Sequence, residues 1–216
     1  MGQITVEYRQ RMYALREFYG RPYPPEEPVT CGDEKSKQRL KQTRVPLAAR
    51  RGAAAKEDYE YERAGTGNLF GAVEPKGQRR QVEVTARRTQ TDFVAFVLQW
   101  AQQVYAGAQR LQVVLDNLHT PFRSSFEAVW GREAAQAVLR RVEFHYPPKQ
   151  ARWLNLAELE IGLLEKQGTG RRMATPALVA AAVAAWQPRR NAEKRGLEWQ
   201  FTREKADQNL GRHYVT

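Results

Sequence analysis

Leu111-Gln112-Val113-Val114-Leu115-Asp116 is a nearly continuous apolar run that ends on a carboxylate. A run this short, apolar at consecutive rather than alternate positions, reads as a strand covered on both faces, as in sheets with helices on each side. Two other segments also bring an acid to the end of an apolar element. Pro28-Val29-Thr30-Cys31-Gly32-Asp33 reads as a first strand with Asp33 at its C-terminal end, and Trp153-Leu154-Asn155-Leu156-Ala157-Glu158 puts Glu158 early in a helix.

Outward from these anchors, the periodicity gives an element order. Residues 1–20 read as a helix with Tyr8, Met12, Leu15 and Phe18 at near-helical spacing, broken by four prolines between Arg21 and Pro28. Lys35 to Lys56 is rich in Lys, Arg and Ala, lacks periodicity and contains Pro46, so it reads as a basic loop. Tyr59 to Arg63 alternates like a strand, Gly65-Thr66-Gly67 reads as a turn, and Asn68 to Val73 is a second run. Pro75-Lys76-Gly77 then turns into Gln81 to Thr85, which completes an antiparallel meander.

Thr89 and Asp92 form a capping-box-like start for a helix whose apolar face holds Phe93, Phe96, Val97, Trp100, Val104 and Tyr105. After the Leu111 run, a helix through Phe126 and Val129 breaks at Gly131 and resumes through Val138. It leads to a strand from Val142 to Tyr146, stopped by Pro147-Pro148. Leu154 to Glu165 is helical with Gly168 and Gly170 beyond its end. Pro176 to Trp186 is an Ala-rich helix, and a charged tail carries Trp199 and Phe201.

Three strands, helix, strand, helix, strand, helix predicts an α/β domain. The fitting architecture is a ribonuclease-H-like mixed five-stranded sheet flanked by helices, with a small C-terminal helical extension. The expected division is a linker helix and Pro-rich lead-in over 1–27, the sheet domain over 28–170 and the extension over 171–216. No internal repeat is present.

The chain has 216 residues, enough for one sizeable core. Its net charge of +11 favours a polyanionic partner through counterion release from phosphates. Charge alone leaves a basic structural or ribosome-associated protein equally open. The single cysteine, Cys31, excludes an internal disulfide and a Cys-rich zinc site, and reads as a small core residue. The longest apolar run, Ala177 to Trp186, is too short to span a bilayer, and no signal peptide opens the chain. A cytoplasmic, nucleoid-associated protein is expected.

In the sheet so expected, the first and fourth strands lie side by side. Asp33 and Asp116 then stand at adjacent strand ends, where ligands of open α/β sheets gather, and Glu158 on a crossing helix closes an oxygen cage suited to Mg²⁺ or Mn²⁺. Two such ions, about 3.5–4 Å apart, would stabilise both oxygens of an in-line displacement at phosphorus. Spacing alone leaves each acid open to a local role, and Glu160, on another helix face, rivals Glu158. Lys149 and Arg152 are the best single phosphate contacts, joined by Lys35, Lys37, Asn117 and Asn155. His145 reads as an edge or core residue, His119 as nearer to phosphate, and Trp153 as core.

Several motifs in one order carry a family likeness. They are Cys31-Gly32-Asp33-Glu34-Lys35, Gly65 to Phe70, Val84 to Thr89, Leu115-Asp116-Asn117-Leu118, Phe144 to Lys149, Trp153 to Glu158 and the closing Trp199-Gln200-Phe201-Thr202. Together they resemble the catalytic domain of bacterial insertion-sequence transposases of the mariner superfamily, the DDE endonucleases. The resemblance runs from about Pro22 to the C-terminus. It implies that Asp33, Asp116 and Glu158 hold two divalent ions, and that the chain cuts transposon ends and joins the freed 3′ hydroxyl to target DNA, as a homodimer when active. It departs from the family pattern at His119 to Phe122 and at Gln150 to Arg152. The family's N-terminal helix-turn-helix region is not expected within this sequence, so a separate half carrying it is a further implied partner. A catalytically inactive, nucleic-acid-binding remnant is the alternative.

Overall fold

The structure is a computed structural model and describes residues 3–116, 123–149, 151–197 and 199–215. Five strands form one sheet in the order β3-β2-β1-β4-β5. These are β1 (Val29–Gln42), β2 (Tyr61–Glu74), β3 (Arg79–Thr85), β4 (Leu111–Leu115) and β5 (Val142–His145). The first three run antiparallel as a meander, while β4 and β5 join β1 in parallel through helical crossovers. This is the mixed, ribonuclease-H-like sheet that the element order predicts, with β1 and β4 adjacent.

Two helical layers cover the sheet, because alternate residues of each strand point to opposite faces. On one face α2 (Gln90–Gln103), α3 (Arg123–Trp130) and α4 (Arg132–Leu139) enclose Phe70, Phe93, Phe96, Trp100, Val113 and Leu115. The expected capping box opens α2, with the Thr89 side chain and backbone exchanging hydrogen bonds with Asp92. Gly131, at a φ of +79°, makes the expected break between α3 and α4.

The other face is covered by α1 (Val6–Gly20), α5 (Leu156–Leu164), α6 (Pro176–Ala192) and α7 (Arg203–Leu210). Met12, Leu15 and Phe18 of α1 pack with Cys31, Val73, Val114, Leu154 and Leu156, and with Ala206 and Leu210 of α7. The lead-in, the sheet and the C-terminal helices therefore share this core layer. Ile4 bridges to Tyr214, which ties the two ends of the described chain together.

Four local expectations are corrected. The basic segment after Asp33 is not wholly a loop, since β1 continues through Lys35, Lys37 and Lys41 to Gln42, held by β2, so Asp33 lies within β1 and not at its C-terminal end as expected. Gly65 to Gly67 is not a turn but lies inside β2. An extra residue near Gly65, whose φ is +92°, shifts the register between Gln38 and Leu40, as a β-bulge does. Gly168 does not lie beyond the α5 helix, because a π-helical turn continues over Glu165–Thr169. The Ala-rich helix does not stop at Trp186 but runs to Ala192, past Pro188.

Candidate active site

β1 and β4 are in register as Cys31 with Val114 and Gly32 with Leu115. One residue further, Asp33 and Asp116 follow side by side at the C-terminal end of β4. Cys31 and Val114, two residues back, both belong to the core layer beneath α5, so the period of two turns both aspartates toward that layer. Gly32 permits the close packing of Leu115 beside it, since a Cβ would come within 2.8 Å of Leu115 Cδ2.

The third acid is brought in by α5, which lies across β1 and β2. Asn155 caps this helix, its Oδ1 accepting from Ala157 N at 3.2 Å. The same side chain donates through Nδ2 to Gly32 O at 2.8 Å. One buried amide thus pins the start of α5 to the residue before Asp33, with Glu158 exposed in the first helical turn. A little further along, Ile161 sits over Gly71, the partner of Asp33 on β2. A Cβ at Gly71 would meet Ile161 at 2.8 Å, so the glycine permits the close approach of helix to sheet.

Burial pushes the Asp33 carboxyl up to about 6, with the Glu158 and Asp116 charges adding to the rise. Its own Oδ1 accepts from Glu34 N at 2.8 Å, and this bond and the Arg152 guanidinium work the other way. The three acids therefore interact in one patch of negative potential, and a cation relieves it. In this structure the cation at Asp116 is Arg152, whose Nε lies 2.8 Å from Oδ2. Among the described residues, no three His, Cys, Asp or Glu side chains already converge at metal-holding distance. The donor set is nevertheless all oxygen, with Asp33 and Asp116 following adjacent register positions, which suits a hard divalent ion.

Glu160 plays a different part. It is buried, and accepts from Arg80 of β3 at 3.0 Å and from Arg190 of α6 at 3.2 Å. This network holds α5 to its neighbours and leaves Glu160 engaged away from the strand ends.

The expected phosphate contacts divide. Lys149 is exposed and Arg152 is half-exposed, but Arg152 is committed to Asp116. Lys35 and Lys37 are not a free cationic track, because both are drawn to Glu165, Lys37 at 4.0 Å. Asn155 is corrected outright: it is 1% exposed and both ends of its amide are used internally. Asn117 and His119 lie outside the described residues, as does Gln150. His145 is half-buried, bonded to Gln112 Oε1 at 2.6 Å and packed on Phe18. Trp153 stacks on Trp199 and meets Phe201 edge-on in the core layer. The capping role of Asn155 was open to sequence reading, since an Asn directly before an apolar helical run is a helix-start signal.

The family model described as DDE superfamily endonuclease matches residues 28–176. The chain belongs to the DDE superfamily endonuclease family. No curated protein matches this DDE endonuclease in sequence. Among solved structures, the Mos1 mariner paired end complex with Mn resembles it with a TM-score of 0.51 at 13% identity, covering 97% of this chain and 62% of that one. The Mos1 transposase paired-end complex with left transposon end gives 0.48 at 16% identity, covering 85% and 55%. The Mos1 strand transfer complex gives 0.49 at 15% identity, covering 87% and 57%. The DDE endonuclease thus shares the fold of the first of these and spans less than two thirds of that transposase chain. Among its described residues, no helix is long and apolar enough to cross a membrane.

Proposed function

We propose that this chain is the catalytic domain of a DNA transposase, and that Asp33, Asp116 and Glu158 hold Mg²⁺ or Mn²⁺, as two ions, at the C-terminal end of β4. The observation that carries the reading is the side-by-side register of Asp33 and Asp116 on the α5 face, inside the span matched by the DDE family. The related Mos1 mariner structure that shares this fold supports it, being described as a paired end complex with Mn.

When bound, the ions would activate the attacking oxygen and neutralise charge on the phosphate. The protein's own part is to place the donors. Asn155 fixes Glu158 against β1, and burial beside two other acids keeps Asp33 poised to exchange its proton for a cation. Arg152 and Lys149 are available to hold the scissile phosphate once Arg152 leaves Asp116. Hydrolysis frees a 3′ hydroxyl and attack by that hydroxyl on target DNA joins the strands. Both are in-line displacements at phosphorus, so one site serves both steps.

The partners of this reading are double-stranded DNA at transposon ends and target, a second copy of the chain when active, and a separate helix-turn-helix half. The site of action is the cytoplasm, at the nucleoid. The test is nicking of supercoiled DNA by purified protein with Mg²⁺ or Mn²⁺, which Asp116→Ala should abolish. Salt-sensitive DNA binding with no cleavage at any divalent concentration would instead favour a non-catalytic remnant.

A further inference from the structure

A groove of about 400 Å³ opens between the π-helical turn and α6, at the end of α5 away from Glu158. Lys166, Arg171 and Arg189 line it, and all three are exposed. None of them forms an ion pair among the described residues. The adjacent Glu165 is taken up by Lys35 and Lys37, and Glu193, whose charge senses Arg189, is bound by Arg190 at 2.7 Å. Three cations thus face one concavity with their nearest acids spent elsewhere.

The groove is also built to let a ligand come close. Gly170 leaves its floor bare, and a Cβ there would strike Glu165 O at 2.6 Å. Trp186 forms one wall, its indole N–H fixed by donation to Gln167 Oε1 at 2.9 Å.

We propose that this groove takes the sugar–phosphate backbone of a DNA duplex whose scissile phosphate lies at the acids. The proposal rests on the function inferred above and adds a second contact surface to it. Lys166 lies about 12 Å along the helix axis from Glu158, a length over which a parallel duplex offers roughly three or four phosphates per strand. Three long, exposed cations lining one groove suit a repeating anion running past them. An anchor here would fix the direction in which the duplex leaves the site, while carrying no sequence information.

The test is anisotropy of a short, fluorescein-labelled, random-sequence DNA duplex with the full chain in EDTA, across a KCl series. In the triple variant Lys166→Gln, Arg171→Gln, Arg189→Gln, the slope of log K against log salt should shrink by about 3, and by about 1 in each single variant. A charge-matched control with Arg11, Arg140 and Lys205 changed to Gln should keep the native slope. An unchanged slope in the triple variant, or an equal loss in the control, overturns the groove. So does competition by polyglutamate as effective as unlabelled duplex at equal charge. If the native chain binds no DNA, the transposase reading falls together with the groove. If it binds and nicks DNA while the triple variant keeps the native slope, the groove alone falls.

Discussion

The guanidinium of Arg152 lies 2.8 Å from Asp116 Oδ2, one residue past the end of β4. A positive group already occupies the place where a divalent ion would add its charge, so the two compete. The pair is half in solvent on the arginine side, which limits its strength to about 0.2–1 kcal/mol. Arg152→Gln should therefore tighten Mn²⁺ binding by roughly two- to fivefold, as read by titration calorimetry or by the loss of the free-ion paramagnetic signal. Unchanged or weaker Mn²⁺ binding in the variant would show that the two cations do not contend for Asp116.

The pH dependence of the metal-free protein follows from Asp33. Burial, reinforced by Glu158 and Asp116, raises its folded-state value to about 6 from 3.8. An acid raised by folding favours the native state only while protonated. Its ionised form costs stability, a cost that grows from about pH 4 to about pH 6 and persists above. Asp33→Asn should then stabilise the metal-free protein by about 2–3 kcal/mol at pH 8 and by almost nothing below pH 4, in urea unfolding at the two values. An equal effect at both pH values would refute the assignment. Divalent binding at pH 5.5 should release protons, and less so at pH 8.

Glu158 and Glu160 stand two residues apart and should fail in opposite ways. Removing the Glu160 carboxylate leaves Arg80 and Arg190 facing each other with their shared partner gone. Glu160→Ala should cost about 3–5 kcal/mol, because breaking a buried pair strands a charge. Melting should fall by roughly 6–20 °C. Glu158→Gln, at an exposed position, should alter stability by less than about 0.5 kcal/mol and remove metal-dependent cleavage. Calorimetric melting of both variants beside a nicking assay separates the two roles. A stable, inactive Glu160→Ala would reverse them.

Asn155→Ala should loosen α5 without touching DNA affinity. It deletes the helix cap and leaves Gly32 O without its side-chain donor, together about 1–3 kcal/mol. Mn²⁺ affinity should drop, because Glu158 loses its fixed distance from Asp33. Duplex DNA binding in EDTA should stay within experimental error; a weakened complex would put the amide in contact with nucleic acid after all.

The end of β4 before Asp116 was legible because the segment leading to it is apolar and short, a pattern that depends on burial on both faces, whereas the expected end of β1 at Asp33 lies inside the strand. The far half of β1 was not, since Arg39 and Lys41 present charge where a strand covered on both faces would present apolar side chains. What holds them there is pairing with β2, joined by bonds from Leu40 to Met173 and from Arg172 to Gln42, and no hydrophobic period records either. Gly65 misled for a related reason. A glycine with positive φ serves a bulge as well as a turn, and sequence does not separate the two. The order Asp33, Asp116, Glu158 could be read, but the split between Glu158 and Glu160 needed Arg80 and Arg190, distant in sequence.

Gly32 gives Leu115 a notch to sit in at the last pair of the β1–β4 register. A single-residue slip would exchange the ladder partners and swing the Asp33 carboxyl, with the other side chains of β1, to the opposite side of the sheet. One inserted amino acid ahead of that aspartate would thus misplace the carboxylate and disturb the buried layer around Cys31 together, so the chemistry and the fold fail as one.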